Sequence, residues 1–145
     1  MSILQSIIDV IASYPDIGDA DISIDYTSDD GQSNFLAPTG IIVNERTKDI
    51  HGNDTIRFQY NCNLFIRRNF LNGLSALDNQ TFIENLQFWL IGKNYDESLP
   101  QLGSDKFEEY WTAVNGVMIE LDSSASTALY TLQLTIDFIK EYTEV

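Results

Sequence analysis

Residues 55–68, TIRFQYNCNLFIRR, decide how the chain is read. Ile56, Phe58, Tyr60, Cys62, Leu64 and Ile66 stand at alternate positions, with Arg57, Gln59, Asn61, Asn63 and Arg67 between them; only Phe65 breaks the pattern. Successive side chains of an extended chain point to opposite faces. This period of two therefore describes a strand with one face on a core and the other toward water or a partner. A helix would scatter the same apolar residues round its circumference. The stretch predicts a long antiparallel strand whose polar face is available for function.

Upstream, residues 41–48, IIVNERTK, predict the strand that pairs with it through the loop 49–54, DIHGND, whose Asp, Gly and Asn suit a turn. The loop length predicts a polar, mobile tip that offers Lys48, His51, Asn53 and Asp54 to a partner. A lone loop histidine suits solvent better than catalysis. Residues 35–40 read as a connection because Pro38 and Gly40 punctuate them, and residues 16–26 as a strand followed by an acidic turn with Asp29 and Asp30. Asp19, Asp21 and Asp25 resemble part of a calcium loop. Ile24 stands where such a loop needs glycine, however, and no glutamate closes it, so calcium is not expected. At the start, Ile3, Leu4, Ile7, Ile8 and Ile11 form a helical stripe over residues 2–14, with Ser2 and Gln5 at capping-box spacing and Pro15 as the stop.

Downstream, residues 69–79 read as a turn or irregular crossover, and residues 79–91 as a second helix. Its stripe is Phe82, Leu86, Trp89 and Leu90 with Ile83 beside it, Asp78 or Thr81 capping the start and Gly92 the end. Residues 93–111 read as a loop. The strands 116–121 and 129–142, joined by DSSASTA, form the last hairpin. Without a strand–helix–strand rhythm, the expected class is α+β. Its sheet is mainly antiparallel, built from two long hairpins, with helices packed on one face.

A chain of 145 residues suits a single domain and buries roughly 70% of its unfolded surface. The content of 43% hydrophobic and 12% aromatic residues argues against a disordered tail. The single cysteine, Cys62, falls on the apolar side of the strand and reads as an inert core residue. No apolar run reaches the roughly 18 residues of a membrane span, and no basic segment precedes the first apolar stretch, so the expectation is a soluble protein made in the cytoplasm. The 22 acidic and 8 basic residues give a net charge of -14, which opposes general binding to phosphate backbones. Yet five of the eight basic residues, Arg46, Lys48, Arg57, Arg67 and Arg68, fall between positions 46 and 68. A basic middle between acidic flanks suits docking through opposite patches, and it equally suits a solvated strand face.

Enzymatic signatures are missing: there is no phosphate-cradling glycine loop, glycine-flanked serine, paired-cysteine motif or second histidine. Nothing selects two carboxylates as an acid–base pair. No enzymatic activity, cofactor or metal is expected.

Residues 84–103, ENLQFWLIGKNYDESLPQLG, and 114–140, VNGVMIELDSSASTALYTLQLTIDFIK, with the SYP that ends the first helix and the N-x-x-IRRN segment from Asn63 to Asn69, carry a resemblance. They resemble the small minor capsid proteins of long-tailed bacteriophages that look like tail terminators. The resemblance covers most of the chain in order. It implies a structural virion protein with an α+β fold and no catalytic residues. Such proteins assemble as a ring, typically a hexamer, on the finished tail tube, in contact with the major tail protein and the head's neck proteins. A ring needs two complementary patches per subunit. The expected contact sets Arg57, Arg67 and Arg68 against an acidic stretch of a neighbour such as Asp29 and Asp30. DNA would pass through the neck without specific binding, repelled by carboxylates. A different reading of the same acidity is a DNA mimic that occupies the groove of a basic nucleic-acid-binding protein.

Overall fold

The computed structural model describes residues 2–15, 17, 22–24, 33–70, 73–96, 98–104, 108–124 and 126–143. They form an α+β fold with elements α1 (Ile3–Ala12), β1 (Ile22–Ile24), β2 (Ser33–Lys48), β3 (Asp54–Asn69), α2 (Gly73–Gly92), β4 (Tyr110–Asp122) and β5 (Thr127–Tyr142), with a short 3-10 turn at Lys93–Tyr95. One sheet runs in the order β1-β2-β3-β5-β4. Every neighbouring pair is antiparallel except β1 with β2, which is parallel.

The alternation in β3 is realised as read: Tyr60, Cys62, Leu64 and Ile66 are buried. Each lies opposite an apolar residue of β5, namely Ile136, Leu134, Leu132 and Tyr130. Both helices lie on this face. Ile7 and Ile11 of α1 and Ile83, Leu86 and Leu90 of α2 join the strand residues in a single core. Burying each of these side chains contributes about 1.5–3 kcal/mol. Tyr14, just past α1, packs its ring 5.9 Å from Phe82 and 5.0 Å from Trp89, tying the helices together. Ser2 caps α1 by accepting the Gln5 N–H at 3.0 Å, but the Gln5 side chain turns to Asp9 rather than closing a box.

Three expectations are corrected. Residues 35–40 belong to β2. Pro38 stays in the strand, opposite Cys62, because a bulge between Pro38 and Gly40, with Gly40 at φ 108°, absorbs the break. α2 begins at Gly73, so Asp78 and Thr81 are interior; residues 73–78, GLSALD, hold good helix formers and no proline. β4 begins at Tyr110 because Asn94 anchors Trp111: the Asn94 Oδ1 accepts the Trp111 N–H at 2.8 Å and its Nδ2 donates to the Trp111 carbonyl at 2.7 Å. The strand expected over residues 16–26 is present in its described part, Ile22–Ile24, and runs parallel to β2. Asp19, Asp21, Asp25, Asp29 and Asp30 lie outside the described residues.

Candidate functional site

The face of the sheet opposite the helices carries the polar side chains of β3 and β5. Its rows pair Gln59 with Asp137, Asn61 with Thr135, Asn63 with Gln133 and Phe65 with Thr131. The side chains form a lattice of neutral hydrogen bonds. Asn44 Nδ2 donates to Gln59 Oε1 at 2.9 Å, and Gln59 Nε2 to Asn61 Oδ1 at 3.2 Å. Thr135 Oγ1 also donates to Asn61 Oδ1 at 3.2 Å, and Asn115 Nδ2 to Gln133 Oε1 at 2.8 Å. A shallow hollow of about 250 Å³ lies among Thr39, Asn61, Asn63, Gln133 and Thr135. This surface is flat and amide-rich, and it suits a protein contact better than a buried reaction.

The ends of this face differ. At one end Phe35 and Phe65 stack with centroids 4.6 Å apart, and Arg67 donates to Thr127 Oγ1 at 3.2 Å. At the other, Arg57 pairs with Glu108, Nη2 to Oε2 at 3.0 Å, and donates to the Glu108 carbonyl at 3.4 Å. Glu45 lies opposite Arg57 on β2. Burial pushes the Asp137 carboxyl up from its ordinary value while Arg57 pulls it down.

Of the expected contact residues, Arg57 and Arg67 share this face, ten positions or about 33 Å apart along one strand. Arg68 does not: it points to the helix side, with its guanidinium 4.2 Å from the Phe82 ring centroid. Burial lowers its pKa, with Tyr130 acting the other way. The strand period separates adjacent arginines onto opposite faces.

Lys48, His51, Asn53 and Asp54 do meet at the tip of the β2–β3 hairpin, but the tip is internally tied. The Asp49 carboxylate accepts the N–H groups of His51 at 2.8 Å and Asn53 at 2.9 Å and the Asn53 side-chain amide at 3.2 Å. The bond from the Asn53 backbone is the chief cause of a lowered Asp49 pKa. Asp54 is held by Arg46 at 2.9 Å. Ile50 projects from this tip, 97% exposed. No group of three or more His, Cys, Asp or Glu side chains that could hold a metal exists among the described residues.

Two apolar stretches escaped the reading of the sequence. Ile41, Ile42 and Val43 on β2, and Val117, Met118, Ile119 and Leu121 on β4, are exposed. Their signal was the loss of alternation: consecutive apolar residues place one on each face whatever the core requires.

Models of known protein families and curated proteins return no match to this chain. No helix among the described residues is long and apolar enough to cross a membrane.

Proposed function

We propose that the chain is a structural protein of a tailed bacteriophage or prophage virion, a tail terminator or neck protein without catalytic activity. It would assemble with copies of itself into a ring, a hexamer by analogy, that caps the tail tube and meets the head connector. One observation carries the assembly part of this reading: the exposed apolar stretches lie on two different strands at opposite sides of the sheet. A ring requires two unlike patches of this kind, and a monomer gains nothing from leaving them in water. The phage context comes from the resemblance in residues 84–103 and 114–140. The flat amide lattice supports a contact surface, and the net charge of -14 supports passage of DNA without adhesion.

The test is electron microscopy of particles from a lysate that lacks this gene. Filled heads beside separate, overlong or ragged tails are expected. Normal infectious virions would overturn the neck reading and turn the search to a basic host protein bound by an acidic mimic.

A further inference from the structure

On both sides of the sheet part of an edge is bare among the described residues. β1 pairs with β2 only at Asn34, Phe35 and Leu36, so residues 37–48 of β2 have β3 on one side and no strand on the other. On the far edge, Asn94 occupies the backbone of Trp111, and Gln80 Nε2 donates to the Gly116 carbonyl at 2.9 Å. Residues 117–122 of β4 lie beyond these side chains. Edge strands are ordinarily defended by charge, proline or shortness. Here Pro38, Glu45, Arg46 and Lys48 stand toward the ends of one stretch and Glu120 and Asp122 toward the end of the other, but between them the stretches expose Ile42 at 50% and Val43 at 59%, and Val117 at 50% and Ile119 at 51%.

We propose that the bare stretch of β2 in one copy pairs, antiparallel, with the bare stretch of β4 in the next copy, extending the sheet from subunit to subunit. Three observations point to a second copy of this chain as the occupant. First, β2, β3, β5 and β4 alternate in direction, so carrying the sheet on into another copy brings β4 beside an antiparallel β2. Second, one register matches both faces at once. Ile41 and Met118 align with Tyr60 and Tyr130 on the helix side, whereas Ile42 and Val117 align with Gln59 and Thr131 on the open side. Setting Ile41 opposite Met118 therefore sets Ile42 opposite Val117.

Third, the register sets no like charges against each other. Glu120 and Asp122, the charged residues of 117–122, then fall beyond Met118 near the uncharged residues 37–39, while Glu45, Arg46 and Lys48 lie further along β2. In this register Arg46 and Lys48 run on toward the neighbour's α2, whose exposed side carries Glu84. Contact between two different strands is heterologous, so it continues from copy to copy. This deepens the ring reading and rests on it for closure.

The test is disulfide trapping. Purified Ile41→Cys and Met118→Cys proteins are oxidised separately and mixed; Ile42→Cys and Val117→Cys probe the other face, and circular dichroism checks that each variant folds. Cys62 is buried and stays out of the exchange. Linked dimers are expected in each mixture and in neither protein alone, and a chain carrying both cysteines should give a ladder of multimers. Dimers from a single variant would show a two-fold contact and overturn the proposal, as would no link in both mixtures of folded variants. Trapping with normal virions from the gene-deleted lysate would keep this pairing and sink the neck reading. Defective tails without trapping would do the reverse.

Discussion

Gly116 lies directly against Ile83: a Cβ added at residue 116 would stand 2.5 Å from Ile83 Cγ2. Ile83 is fully buried and has no room to retreat. This is where α2 comes down on the bulge between Val114 and Val117.

Gly116→Ala should therefore destabilise the fold by about 1–3 kcal/mol through overpacking. Shrinking the opposing side chain should recover part of the loss. Urea unfolding of Gly116→Ala, Ile83→Val and the double variant measures the coupling; simple additivity would contradict the contact.

Asn94 mimics a strand by pairing with both backbone groups of Trp111. Asn94→Ala should cost about 1–3 kcal/mol, because a donor and an acceptor lose partners at a half-buried edge. Hydrogen exchange should quicken at the Trp111 amide before it does in the central strand β3.

The Arg57–Glu108 pair is partly open to solvent, with the two side chains 34% and 50% exposed. Arg57→Gln should then change stability by less than about 1 kcal/mol. Reversing charge at both Arg57 and Arg67 tests the open face as a subunit contact. Loss of rings with an unchanged circular dichroism spectrum is expected, and persistent rings would take this face out of the interface.

Asp137 binds its proton more tightly in the folded chain than in the unfolded one, since burial raises its pKa above the ordinary 3.8. Its favourable contribution is present below that value and is lost as pH rises through the folded pKa. Asp137→Asn should thus be more stable than the parent at neutral pH and lose that advantage in acid. Denaturation midpoints across this range check the sign.

Burial pushes the Cys62 thiol up to about 12. A buried thiol of that pKa is a poor nucleophile. Alkylation of the native protein should be slow and should track global unfolding, so labelling rates in rising urea ought to follow the loss of circular dichroism.

Local periodicity determined much of this protein. Alternation in residues 55–68 and 129–142 established two long two-faced strands, and the apolar stripe of residues 79–91 established α2, because strand and helix periods are written by near neighbours. The placement of Arg57 and Arg67 on one face was legible for the same reason. Tertiary structure decided where those elements end. Pro38 and Gly40 look like breakers until a bulge accommodates them, and Tyr110 enters the sheet because a distant Asn94 supplies its neighbour's hydrogen bonds. It also decided the parallel pairing of β1 and the partner of Arg57. Only the assembled sheet shows Ile41–Val43 and Val117–Leu121 at opposite edges in water, since exposure depends on which layers come to cover a strand, and no local pattern encodes that.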